Sequence, residues 1–176
     1  FGPYAGRPIS DTIMNMVQRI DHNLVGGVLR IDVDKASTKS HAPRKVLPQD
    51  FPDEFSGVGY WIPNDNPWQA TDGSLMEEYY SLGHRNPWKL TIDPLTGIPW
   101  VGEVGPHNGE ELNRIIKGNN YGWPYRVGST GEINWDRTPP TAPEPNPFLG
   151  PLTGPIFSSE RSEGRSMMVG CVYRGE

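Results

Sequence analysis

The chain contains a single cysteine, Cys171. One thiol excludes an internal disulfide and a cysteine-based zinc cluster. Its place in the run Met167-Met168-Val169-Gly170-Cys171-Val172-Tyr173 predicts a buried small hydrophobe within a strand. Basic residues are also scarce: Lys and Arg total 16 against 21 Asp and Glu, for a net charge of -5. No Lys/Arg cluster is present, so the charge gives no electrostatic case for a nucleic-acid partner. No stretch approaches the roughly 18 apolar residues of a membrane span.

What the chain has in quantity is punctuation. There are 21 Gly and 19 Pro, accompanied by six Trp and seven Tyr. This composition predicts short strands joined by defined turns, an all-β domain. The aromatic and β-branched residues supply enough apolar surface to argue against disorder. At 176 residues the chain is long enough for one domain with its own core.

Ser10 to Ile20 is the one helix candidate, with Ser10 as N-cap and Ile13, Met16, Val17 and Ile20 on one face. Gly26 to Asp34 reads as a strand with Asp32 and Asp34 pointing outward. Residues 35 to 59 read as a long surface loop, and Ile62 to Pro67 as turn chemistry. A strand is expected near Glu78 to Leu82. Trp88 to Ile92, the turn Asp93-Pro94-Leu95-Thr96-Gly97, and Pro99 to Val104 predict a hairpin. Glu111 to Ile116 is expected to be the next strand. Residues 134 to 155 are Pro-rich and read as loop, and Met167 to Tyr173 as the last strand. Many short antiparallel strands suggest a propeller or a sandwich.

The chemistry concentrates between Leu82 and Pro124. Arg85 and Asn86 sit at a strand entrance, flanked by Gly83 and Pro87. Arg offers a planar, permanently charged donor fork for carboxylates or polarised carbonyls, and Asn adds a donor and an acceptor. At Gly105-Pro106 the backbone can turn carbonyls outward, and such carbonyls suit a hard cation. Glu110 and Glu111 add anionic oxygens. The group fits an anionic ligand plus Ca²⁺. Each residue also has a plainer reading: a solvated Arg-Asn turn, an ordinary Gly-Pro turn and a surface Glu pair. The residues alone leave both open.

The ordered set Leu82-Gly83-His84-Arg85-Asn86-Pro87-Trp88, Asp93 to Gly97, Trp100-Val101-Gly102-Glu103-Val104-Gly105-Pro106, Glu110-Glu111-Leu112-Asn113 and Gly118-Asn119-Asn120-Tyr121-Gly122-Trp123-Pro124 resembles the soluble PQQ-dependent glucose, aldose and sorbosone dehydrogenases. Gly26 to Asp32, Ile62 to Trp68 and Val172 to Gly175 add weaker likenesses. The resemblance implies part of a six-bladed β-propeller of four-stranded antiparallel blades, with residues 1 to 176 forming about three blades of one partial domain. It implies the cofactors PQQ and Ca²⁺, and oxidation of an aldose at its anomeric carbon by hydride transfer to the quinone. Arg85 and Asn86 match the quinone-contacting pair, with Arg85 as the catalytic residue of this chain. Gly105 and Pro106 match the carbonyls that hold the Ca²⁺ at PQQ. Glu111 and Tyr121 match ligands of a separate structural calcium, Tyr121 through its carbonyl. Trp88 and Trp123 are expected to be packing residues.

The general-base His of the family is expected upstream of Phe1. His22 reads as a loop histidine, and His84 and His107 as flanking rather than catalytic. The Gly-Pro turn resembles the glucose dehydrogenase branch more than members with Gly-Gln there. A sugar substrate, an electron acceptor such as a cytochrome or quinone, and a periplasmic or secreted location are further implications. Because the chain opens at Phe1 and stops after a strand-like run, a longer natural protein is expected. Two other functions share such a scaffold: a non-enzymatic propeller that binds proteins or carbohydrates, and a structural propeller within a larger assembly.

Overall fold

A computed structural model describes residues 16–21, 23–45, 59–105, 109–128, 144–160 and 162–175. The elements within them are strands: β1 (Gly27–Leu29), β2 (Ser40–His41), β3 (Ile62–Pro63), β4 (Tyr79–Leu82), β5 (Pro87–Ile92), β6 (Pro99–Glu103), β7 (Glu110–Arg114) and β8 (Phe157–Ser159). Strands β5-β6-β7-β8 form a four-stranded antiparallel sheet in chain order, and β1 pairs with β4 and β2 with β3 as two-stranded sheets. A four-stranded antiparallel meander is the blade unit of β-propellers, so the all-β, blade-type expectation holds.

The central hairpin forms where its sequence places it. Trp88, Leu90 and Ile92 alternate with Lys89 and Thr91, and the turn between β5 and β6 is closed by Asp93. Its carboxylate accepts from the Thr96 hydroxyl (2.5 Å) and the Leu95 amide (3.1 Å). Of the helix expected over Ser10 to Ile20, residues 10–15 lie outside the described residues. Met16 is helical and its carbonyl accepts from the Arg19 amide at 3.3 Å.

Other expectations require correction. The strand expected over Gly26 to Asp34 shortens to β1, because Asp32 turns its carboxylate onto the chain. The Asp32 backbone pairs with Trp61 in one isolated antiparallel bridge (both bonds 2.7 Å). Its side chain accepts from the Asp34, Lys35 and Ala36 amides and the Ser40 hydroxyl, so the amides after the bridge are satisfied locally and the pairing ends there. The region read as loop over residues 35 to 59 contains β2, while 46–58 lie outside the described residues. The Pro-rich stretch is followed by β8, a strand not foreseen. Met167 to Tyr173 is not a strand. It crosses the sheet at Gly102, where a side chain would collide with Met167, Met168 and Val169 backbone at 2.9 Å. The Met167 amide bonds the Glu110 side chain (3.1 Å) instead of a ladder carbonyl. Arg174 then fastens the segment by a two-pronged bond to Asp93. Cys171 is consequently exposed, not buried.

Two apolar clusters hold the sheets. Ile20, Met76, Tyr79 and Leu82 form one, against Leu24, Trp68 and Leu75. Val101, Ile115 and Tyr121 form the other, with Val28 and Tyr80 packed on it, so it bridges β1-β4 to the four-stranded sheet. Trp123 is buried as expected at 8% exposure, but Trp88, expected to pack, is 63% exposed on β5.

Gly102→Val is expected to destabilise the protein by about 1–3 kcal/mol, the range for overpacking a tight contact. Denaturant unfolding measures it, and unchanged stability would show that the 167–169 crossing is not held there.

Candidate functional site

Two motifs that are distant in sequence meet beside β4. The Tyr121 amide donates to the Leu82 carbonyl (2.8 Å), the Trp123 amide to Gly83 (2.9 Å), and the Leu82 amide to Asn119 (3.2 Å). The approach is close enough that Gly83, at φ +78°, has no room for a Cβ against the Asn120 side-chain oxygen and the Tyr121 and Gly122 backbone nitrogens. Asn120, fully buried, clamps the junction. Its amide nitrogen donates to Gln18 Oε1 (2.7 Å), and its oxygen accepts from the Gly122 amide (2.9 Å).

Beneath the Arg85 loop lies a buried polar chain that the sequence did not reveal. Glu103, at the end of β6, accepts at Oε1 from the backbone amides of Arg85 and Asn86 (3.1 Å for the latter). At Oε2 it meets His84 Nδ1 (3.0 Å) and the Asn113 side-chain amide (3.3 Å). His84 Nε2 pairs with the Ser81 hydroxyl at 2.9 Å, and the ring stacks on Tyr121 with centroids 4.5 Å apart. Burial alone would raise the Glu103 carboxyl. The His84 bond and charge, with the Arg85 and Asn86 amides, outweigh it and hold the group below its ordinary value. Ser81, His84 and Glu103 resemble a hydrolytic triad in order, but at 0, 0 and 4% exposure no substrate reaches them. The signal available was a lone carboxylate in a strand otherwise facing the core.

Above this chain the expected site residues gather. Arg85, Gly105, Glu111 and Tyr121 line one small cavity of about 10 Å³, the space of a single water or ion. Thus Gly105 and Glu111, assigned to separate calcium positions, face the same space. Pro106 and His107 lie outside the described residues, as does His22. Asn86 contributes its amide to Glu103 and its carbonyl to the Val104 amide (3.1 Å). The Arg85 side chain is held on the Val104 carbonyl (2.7 Å) and lies 5.5 Å from the Trp123 ring centroid. Glu110 is turned away from the cavity's chemistry, accepting from the Gly105 and Met167 amides at 3.4 and 3.1 Å.

Glu111 is the electrostatically unsettled member. It accepts from the Gly128 amide (2.5 Å) and the Asn113 side chain (3.0 Å). Burial, then the nearby Glu103 charge, push its carboxyl from the usual 4.5 up to about 7. Asn113 Oδ1 beside it is buried without a partner among the described residues. The Tyr121 hydroxyl donates to the Arg114 carbonyl (2.5 Å) and accepts from the Ile116 amide (3.0 Å), so only its backbone is offered to a ligand. A buried carboxylate pushed up by burial and a neighbouring charge, with room for one ion beside it, fits a hard, oxygen-preferring cation. Among the described residues no cluster of three or more His, Cys, Asp or Glu forms a metal site, so carbonyls must complete any shell.

A raised carboxyl takes up its proton more readily in the folded state. Its stabilising contribution is full below about 4.5 and is lost as pH rises through about 7. In chelator-treated protein, Glu111→Gln removes this loss. Between pH 5 and pH 8 the variant is expected to gain about 2–3 kcal/mol relative to wild type, as measured by denaturant unfolding at each pH. A difference independent of pH would refute the shift.

The chain is 31% identical to the HIPL1 protein of Arabidopsis thaliana over 165 residues, covering 88% of this chain and 21% of that protein. It is 43% identical to quinoprotein glucose dehydrogenase B of Acinetobacter calcoaceticus over 67 residues, covering 38% of this chain and 13% of the relative. The crystal structure of the soluble aldose sugar dehydrogenase of Escherichia coli in its apo-form matches with a TM-score of 0.42 at 31% identity, over 56% of this chain and 27% of that one. The chain spans about a fifth or less of the length of these curated relatives. The family profile described as Glucose / Sorbosone dehydrogenase matches residues 60–151, which carry β3 to β7, Arg85, Gly105, Glu111 and Tyr121. The chain belongs to the glucose/sorbosone dehydrogenase family.

Proposed function

We propose that the protein containing this chain is a PQQ- and calcium-dependent sugar dehydrogenase, and that the chain supplies part of its cofactor site. The observation that carries this reading is the gathering of Arg85, Gly105, Glu111 and Tyr121 around one ion-sized space. When bound, PQQ supplies the two-electron acceptor for a hydride from the sugar's anomeric carbon.

The chain's own residues do the rest by charge and position. The Arg85 guanidinium, exposed and braced against Val104 and Trp123, offers fixed donors where negative charge grows on an acceptor oxygen. Such preorganised donors lower the barrier because they need no reorientation during reaction. Asn86 adds a polar side chain beside it. The Gly105 carbonyl, with Pro106, would hold the calcium that polarises the same oxygen. Glu111 and the Tyr121 carbonyl face the same one-ion space and would join the Gly105 carbonyl around that calcium, whose charge relieves the buried carboxyl. The proton of the sugar hydroxyl is assigned to a His outside this chain. An aldose substrate and an electron acceptor such as a cytochrome or quinone follow from the same reading. A calcium-rich compartment, periplasmic or extracellular, suits it. No helix of the described residues is long and apolar enough to cross a membrane.

Arg85→Ala in the complete protein is expected to lower kcat for sugar-dependent dye reduction by about 10²–10³, the range for removing one preorganised donor. Calcium affinity is expected to be flat above pH 8 and to fall toward tenfold per pH unit below about 7, as the proton competes for Glu111. Calorimetric titration across pH measures this. No dye reduction with any aldose, together with no thermal stabilisation by PQQ, would leave a calcium-stabilised binding propeller as the better account.

A further inference from the structure

We propose that Glu103 is the positioning residue that aims Arg85 and Asn86 at the cofactor, with His84 as its strut. The inference rests on the reading above, in which those two residues contact PQQ.

The argument begins with the backbone. Strand β5 opens at Pro87, which has no amide to give the ladder. The register also slips between Pro87 and Lys89, where the β5–β6 pairing carries an irregularity. Regular pairing therefore does not extend to the two residues before it. Their amides are satisfied from the side, by one oxygen of Glu103 on the neighbouring strand. A carboxylate oxygen can accept two such donors, and two converging amides fix the direction of the loop between them.

The other oxygen decides whether that grip is rigid. It is occupied by His84 Nδ1 and the Asn113 amide, so the carboxylate cannot rotate away without leaving buried donors unpaired. His84 is itself immobilised by Ser81 on one side and by stacking on Tyr121 on the other. The loop is then closed from above, since the Val104 amide bonds the Asn86 carbonyl and the Arg85 side chain bonds the Val104 carbonyl. Position 103 thus links the donor pair to the Gly105 turn one residue beyond Val104, so both halves of the proposed site move as one piece. An amide at this position has a single acceptor oxygen. Glu103→Gln must turn an NH₂ toward donors at one end or the other.

The test uses the complete protein. Hydrogen exchange of the cofactor-free form is followed over residues 83–88 by mass spectrometry, and PQQ binding is followed by fluorescence titration. In wild type the Arg85 and Asn86 amides are expected to be protected although no ladder carbonyl accepts them. In Glu103→Gln their exchange rises at least tenfold while residues 99–102 keep their protection. PQQ binds at least tenfold more weakly, and the sugar KM is unchanged. A purely structural role would lower the melting temperature without this split, and Glu103→Asp is expected to restore part of the PQQ affinity. Unprotected amides in wild type overturn the proposal without any variant, so a misfolded Glu103→Gln does not rescue it. Unchanged exchange and PQQ affinity in the variant overturn it equally. Wild type that binds no PQQ, yet loses protection in the variant, would sink the dehydrogenase reading and the cofactor role while keeping Glu103 as the loop's anchor.

Discussion

A single buried carboxylate ties the central region together. Glu103 receives two backbone amides, an imidazole and a side-chain amide. Charge-assisted bonds of this kind are stronger than neutral ones, and in a low-dielectric interior a missing partner is expensive. The strand β6, the loop before β5, the side chains of β7 and the ring of His84 all take their relative positions from this one group. Through the stack on Tyr121 the same constraint reaches the 118–124 segment, which in turn lies against Leu82 and Gly83.

The two nearby glutamates respond to burial in opposite ways. Glu103 is surrounded by donors and stays ionised. Glu111 faces fewer donors and its neighbour's charge, so it is pushed toward protonation. Pairs of titratable groups driven apart by their surroundings are typical of sites that bind or move charge. Here the second group lies beside an ion-sized cavity, where a cation would relieve it.

Much of this was legible in the sequence, and the reasons differ by region. The hairpin from Pro87 to Glu103 could be read because period-two alternation and an Asp-Pro-Leu-Thr-Gly turn are local signals. Arg85, Gly105, Glu111 and Tyr121 could be singled out through ordered motifs, but that Gly105 and Glu111 face one space rather than two separate calcium positions could not. Glu103 and His84 were not legible, since a carboxylate that accepts neighbouring backbone amides leaves no spacing pattern. Its role exists only because Pro87 interrupts the ladder. Met167 to Tyr173 has the composition of a strand, but its Met167 amide goes to the Glu110 side chain and the Arg174 side chain just beyond it grips Asp93. Strand β8 follows a Pro-rich stretch whose composition gave no hint of it. Trp88 shows the limit of composition in the other direction, a large aromatic that the described residues leave exposed.

The clasp between Gln18 and Asn120 joins residues 102 apart in the chain, and Arg174 reaches Asp93 across 81. The β5–β6 hairpin, by contrast, closes over a few residues. Loop closure must precede the reward of distant contacts, so folding order is set by this disparity. The hairpin can form while both flanking segments are still loose. The Arg85 loop receives its backing from Glu103 on the same hairpin, whereas the 118–124 segment takes part of its hold from Gln18, the most distant of its partners. The donor pair therefore acquires its shape early, and the wall opposite it is among the last parts of the chain to settle.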